Sequence, residues 1–358
     1  MREEIRSDKY LHHQPAVSIT IQKITAVWGF TESAVGGVLH VLKIPLTGLF
    51  IGSFAVLCIF LIAHYSKKPV LILRSTIIVI LIKSVVSPYS PLAAYFAVLL
   101  QGFLGYLFFT VIRYERLAAV FLGVAALLLS ALQKVFVLTI LFGTALWESI
   151  DLFYKYLINE LSFMVNIFPQ NISIYLISAY CGIHAAAGLI IGIKAFSVPA
   201  WITKKREHFS LDREKMKTAI DLFEKKKNFK KKKWWQKKSG ILILGTLLTL
   251  MLISYFLPEF EKKASYNILI MIVRSFVITF FWFYLASPFI IKYFKKIIEK
   301  KKSVYSEEIS SAISMFPEFK NILNYSWEIS SGKKGLIRIK DFLSNSVSLL
   351  LFYELLNE

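Results

Sequence analysis

The apolar residues of this chain come in unbroken blocks about 17–25 residues long, the length an α-helix needs to cross a hydrocarbon core of about 30 Å. Nothing else in the sequence constrains the fold as strongly. In soluble domains, apolar positions are dispersed at helical or strand spacing. Here 56% of 358 residues are apolar and they are clustered, so the length-based expectation of two soluble domains gives way to a polytopic membrane protein. Inside a bilayer every backbone polar group must be satisfied within its own segment, which leads to helices here. The predicted fold class is all-α: a membrane helical bundle with a six-helix N-terminal unit, then a two-to-three-helix C-terminal unit with cytoplasmic amphipathic helices.

Six spans are predicted in the first 200 residues, at 16–42, 47–64, 69–86, 92–112, 117–147 and 172–197. Basic residues alternate between the loops. Lys67-Lys68, Arg113 with Arg116, and Lys204-Lys205-Arg206 follow the second, fourth and sixth spans, whereas the intervening loops are poor in Lys and Arg. By the positive-inside rule, both ends of this unit are cytoplasmic. The fifth block is longer than one upright span requires, so it tilts or ends early as an interfacial helix, and 148–171 is read as an amphipathic outer loop.

The net charge of +20 is uneven: residues 201–238 hold 15 Lys+Arg and 5 Asp+Glu, a surplus of ten. A basic excess beside a span is an anchor on anionic lipid rather than a nucleic-acid footprint, and Trp234-Trp235 suits such an anchor. The organisation is thus a cytoplasmic N-terminus (1–15), a six-span bundle (16–198), a basic cytoplasmic linker (199–239), two spans within 240–302 (240–257 and 266–286), and cytoplasmic or interfacial amphipathic helices (303–358). The start of the chain lacks the pattern of a cleaved signal peptide.

Polar residues inside spans are costly and are functional candidates. Glu32 and His40 fall in the outer half of the first span, Lys83 near the outer end of the third, and Lys134 past the middle of the fifth. Gln101 and His184 lie near the middle of the fourth and sixth. Two readings stand. In one, Trp28, Glu32, Lys83, Gln101, Lys134 and His184 line an outward-opening cavity, with Trp147, Tyr175 and Tyr180 as aromatic wall. Two lysines against one glutamate would select an anionic or zwitterionic solute. In the other, Lys83 snorkels to the surface, Glu32 pairs with Lys134, and His184 makes an interhelical hydrogen bond. Thr25, Gly29, Ser33 and Gly37 form a small-residue ridge on the first span, a surface for close helix packing inside the bundle or against a partner subunit.

Enzyme chemistry has no foothold. The sequence has no phosphate-binding GxxxxGK[ST] loop, no HExxH and no GxSxG. Cys58 and Cys181 lie within apolar blocks, so no disulfide framework, catalytic residue, metal site or cofactor is expected.

With Glu32-Ser33-Ala34-Val35-Gly36-Gly37 leading to Lys43-Ile44-Pro45-Leu46-Thr47-Gly48, the stretch Ala97 to Gly105, and Tyr180 to Gly192, residues 16–198 resemble the substrate-binding S component of energy-coupling-factor (ECF) transporters. The resemblance implies capture of a small vitamin-like solute from outside and its inward transfer with a T component and separate ATP-binding subunits. The first-span ridge would then meet the T component. Met1-Arg2 replaces the Met-His start of metal-specific members, which argues against a nickel or cobalt substrate. The C-terminal unit looks like part of a T component, with Lys333 and Lys334 in place of the arginine that docks on the ATPase. A scaffold of another class, recruiting a cytoplasmic partner through its linker and C-terminal helices, is the alternative.

Overall fold

The computed structural model describes residues 15–41, 46–88, 90–160, 171–201, 203–204 and 262–352. The predicted span at 240–257, most of the basic linker and most of the predicted cytoplasmic N-terminus lie outside the described residues. All regular structure among the described residues is helical. In chain order the helices are α1 (Pro15–Phe30), α2 (Gly36–Val41), α3 (Thr47–Ser66), α4 (Val70–Val86), α5 (Leu92–Val111), α6 (Glu115–Phe142), α7 (Ala145–Glu160) and α8 (Ile172–Ala195). They continue with α9 (Lys262–Phe281), α10 (Ser287–Val304), α11 (Ser306–Ser314), α12 (Phe316–Ile329) and α13 (Gly335–Phe352). A π-helical turn, Thr31–Val35, joins α1 to α2, and another, Trp282–Ala286, joins α9 to α10.

Four helices, α3, α5, α6 and α8, are individually long and apolar enough to cross a membrane, and the chain is a helical membrane protein. The other two expected spans fall short of that measure for an informative reason. The first is interrupted by the π turn, and the third is a 17-residue helix that includes Arg74 and Lys83. The described apolar part of the predicted span at 266–286 is the shorter stretch Ile270–Phe281.

The chain divides into two compact units. The first takes its described residues from Met1–Gln133, Tyr180–Lys225 and Lys292–Glu358. Its centre is a layer formed by α1, α3, α4 and α5, with Trp28, Val56, Ile59, Phe60, Ile72 and Val79 fully buried. Glycines set the distances between these helices. A Cβ on Gly29 would lie 2.9 Å from Ile82 Cδ1, and one on Gly102 would collide with the Thr76 side chain. Gly123 of α6 and Gly188 of α8 meet backbone to backbone, as small residues permit in membrane bundles. The turn after α3 is closed by Lys67 in the left-handed region (φ 53°), whose N–H reaches the Ala63 carbonyl. Lys67 Nζ and His64 Nδ1 both bond Glu115 at the start of α6, at 2.6 and 2.9 Å.

The C-terminal helices belong to this same unit. The sequence predicted amphipathic helices in the cytoplasm or the interface, broken near Pro317. Pro317 does sit in the first turn of α12, but α11 packs on α1 and α4, and α13 touches α1. Phe30 receives the edges of Phe316 and Phe319 at 5.0 and 5.6 Å between ring centroids. Ile309, Ala312, Ile322, Leu349 and Leu350 bury with Val27, Ile78 and Leu81 in one apolar cluster. Part of the apolar surface that read as interfacial is thus spent on the bundle, while Leu336, Ile337, Ile339 and Leu343 of α13 stay exposed.

The second unit takes its described residues from Lys134–Ala179 and Lys226–Ile291. The long fifth block ends early, as one of the two expectations had it. Gly143, with φ +76°, stops α6, and the amphipathic α7 starts at Ala145. Within this unit α7 packs on α9, Arg274 Nε donates to the Ile140 carbonyl at 3.2 Å, and Asp151 accepts from both the N–H and the hydroxyl of Ser173.

Candidate functional site: a buried ion pair at a helix bulge

Local backbone geometry places the central residue of the site. From Thr31 to Val35 the first span is wound as a π turn, and the Gly36 N–H bonds the Thr31 carbonyl five residues back. A π turn inserts one extra residue into the helical register and recurs at functional sites. Here it contains Glu32. The neighbouring hydroxyls of Thr31 and Ser33 donate back to the carbonyls of Val27 and Gly29, at 2.9 and 2.5 Å, so polar side chains satisfy the loosened turn.

Glu32 Oε2 accepts a hydrogen bond from Lys83 Nζ at 2.9 Å, and the side chains are only 5% and 8% exposed. Each ion alone costs about 2.5–3.5 kcal/mol at the centre of a bilayer, and removing one member of a buried pair costs about 3–5 kcal/mol. The pair is therefore locked unless something replaces one of its members. Below it on the same seam, Gly29 lies against Ile82, and the hydroxyls of Thr25 and Ser75 pair at 2.8 Å.

Among the buried polar atoms that have no partner in the described residues, one is on α1 and one on α5 of this core. Trp28, one helical turn before Glu32, is fully buried and its indole Nε1 has no acceptor. Gln101 of α5, 7% exposed, has an unbonded Oε1, and its Nε2 faces Gly52 of α3, 3.4 Å from a Cβ placed there. Orphaned buried polar atoms are uncommon in native proteins and each calls for an explanation.

The structure thus brings Glu32 and Lys83 into contact and puts Trp28 and Gln101 in the same helical layer. It does not assemble the rest of the predicted set there. Glu32 pairs with Lys83, and Lys134 is exposed and falls in the second unit. Lys83 does not snorkel. His184 is 1% exposed and donates from Nδ1 to the Tyr180 carbonyl at 2.9 Å, a bond within α8 rather than the interhelical one expected, with the two rings 4.4 Å apart. Trp147 donates to Thr139 at 3.0 Å within the second unit, and Tyr175 is exposed. Of the ridge, Thr25, Gly29 and Ser33 are buried in the bundle's own seam with α4, and Gly37 alone has open space where a Cβ would stand. Lys333 forms an ion pair with Asp341 in the turn before α13, and Lys334 is exposed beside it.

Sequence reasoning missed Lys23, buried to 4% on α1, and the pairing of Arg74 with Glu308 at 2.8 Å across 234 positions. No sequence spacing encodes that contact. A basic residue one turn inside a span was the available signal.

No family model, no curated protein and no solved structure matches the chain.

Proposed function

We propose that the chain is a solute-binding subunit of an uptake transporter in the bacterial inner membrane, with a cytoplasmic N-terminus, and that Glu32 and Lys83 are its solute contacts. The observation that carries this reading is the buried Glu32–Lys83 pair on a π turn, with Trp28 and Gln101 left unsatisfied in the same core. A carboxylate beside an ammonium is complementary to a zwitterion. The solute's ammonium replaces Lys83 on Glu32 and its carboxylate replaces Glu32 on Lys83. Each protein charge keeps a partner through the exchange, so no ion is stranded in a low-dielectric interior. Gln101 Oε1 accepts from the solute, and Trp28 Nε1 donates to it. The buried pair is itself neutral, one carboxylate against one ammonium, and a zwitterion suits it better than a simple anion. The π turn supplies the slack, because its register can shift by one residue at the cost of few hydrogen bonds.

The resemblance to ECF S components supplies the partners in this proposal: a T component and separate ATP-binding subunits. The scaffold alternative recruits a cytoplasmic partner through the basic linker and the C-terminal helices, and of those helices α11 is packed on α1 and α4, and α13 on α1.

Binding of small zwitterions and of simple carboxylates to the purified full-length chain, read by thermal shift in nanodiscs, tests the site. Stabilisation by a zwitterion that disappears in the double variant Glu32→Leu/Lys83→Met is expected. Unchanged binding by that variant rules out the pair as the contact. Co-purification of ATP-binding subunits tests the coupling separately.

A further inference from the structure

The first unit contains a partly open cavity of about 260 Å³ between α1, α4 and α11, apart from the Glu32–Lys83 pair. Its α4 wall is Leu71, Arg74, Ser75 and Ile78, at the spacing of one helix face, with Lys68 three residues before it. Its α11 wall runs Glu308, Ser311, Ala312 and, just past the helix, Met315, at the same spacing. Arg74 bonds Glu308, while Ile78 and Ala312 share the apolar cluster, so the two walls run in parallel. The cavity therefore has a charged end at Lys68, Arg74 and Glu308 and an apolar end at Ile78 and Met315. Gln22, Thr25 and Ser75 add polar groups along its side.

The charged end has spare donor capacity. Arg74 uses one Nη2 bond to Glu308 at 2.8 Å, and a guanidinium has five N–H donors. The Lys68 ammonium has no side-chain partner among the described residues. Arg74 and Lys68 outnumber Glu308 by one charge. An acceptor-rich oxyanion satisfies such a pair, and phosphate is the group whose geometry the arginine fork matches. The apolar far wall has no use for a bare ion. It fits a hydrocarbon body attached to the anion.

We propose that this cavity binds a phosphate group carried on an apolar body, with the phosphate between Lys68 and Arg74 and the chain along Ile78 and Met315. The source is a membrane phospholipid or a small organic phosphate, which share this chemistry. The inference stands independently of the solute site.

The test uses the purified full-length chain and three probes: phosphatidylglycerol vesicles, phosphatidylcholine vesicles and glycerol phosphate. Retention of lipid is read by native mass spectrometry. Wild type is expected to retain phosphatidylglycerol over phosphatidylcholine, and Lys68→Gln/Arg74→Gln, which removes two charge-assisted contacts, to lower that retention by more than about tenfold. Both positions are exposed, and an unchanged unfolding midpoint confirms that the variant folds. Glu308→Gln frees the Arg74 fork and is expected to raise retention, a gain that misfolding does not produce. Displacement of the lipid by glycerol phosphate, which carries a phosphate but no apolar body, overturns the apolar half of the proposal. Retention without displacement assigns it to the phospholipid. Equal retention of both lipids, equal retention by wild type and the double glutamine variant, or no binding of any probe overturns the proposal.

Discussion

At the residue scale, the buried pair makes the sharpest predictions. Lys83→Ala leaves Glu32 charged and unpartnered at 5% exposure, and a loss of about 3–5 kcal/mol is expected. Replacing both members with Leu and Met removes the desolvation cost along with the attraction, so the double variant is expected to unfold much closer to wild type than either single one. Reversible unfolding in mixed micelles completes the double-mutant cycle, and additive losses would mean that the two charges are not coupled. Both residues were legible as costly charges inside apolar blocks. Their pairing was not, because Glu32 is 51 positions from Lys83 and Lys134 was an equal choice on spacing. The deciding fact is that α1 and α4 share a seam.

At the element scale, glycines separate positions that need closeness from positions that merely tolerate it. A Cβ at Gly188 falls on the Gly123 backbone, which cannot rotate away, whereas Gly37 has open space. Gly188→Val is expected to destabilise by at least the roughly 1–3 kcal/mol of overpacking. Gly37→Ala, a helical position, should be neutral or slightly stabilising. Equal unfolding midpoints for the two variants would refute this packing assignment. Gly143→Ala places a Cβ at φ +76° and 3.1 Å from the Arg274 guanidinium. A cost of about 1–2 kcal/mol is expected, with loss of the sharp break between α6 and α7 detectable by amide hydrogen exchange. The sequence marked 25, 29, 33 and 37 as one packing ridge; Thr25, Gly29 and Ser33 are buried, and Gly37 has open space. Which helix covers it was decided by the return of α4 alongside α1.

On the scale of the whole molecule, the C-terminal helices behave as part of the N-terminal bundle rather than as an appendage. The contact of Arg74 with Glu308 ties the two together. Arg74→Glu should loosen α11, and adding Glu308→Arg should restore it, which protease sensitivity near the turn at Tyr305 can follow. Because the pair is half-exposed, only a few tenths to about 1 kcal/mol is at stake. The rescue pattern is more diagnostic than its size. Failure of the charge swap to restore protection would mean that the apolar cluster around Phe319 alone holds α11 in place.

The sequence alone determined that this is an all-helical membrane protein. Long apolar blocks in a single chain have few other ways to satisfy their backbone groups in lipid, and that constraint is local to each block. It also picked out Glu32, Lys83, Trp28 and Gln101, since polar groups in apolar runs are visible without any structure. Only the tertiary structure decided which charges meet, which face the small-residue ridge covers, and that the amphipathic C-terminal helices return to pack on α1. Those outcomes depend on contacts between segments tens to hundreds of residues apart. An amphipathic face shows that it must be covered, but its sequence does not say by what.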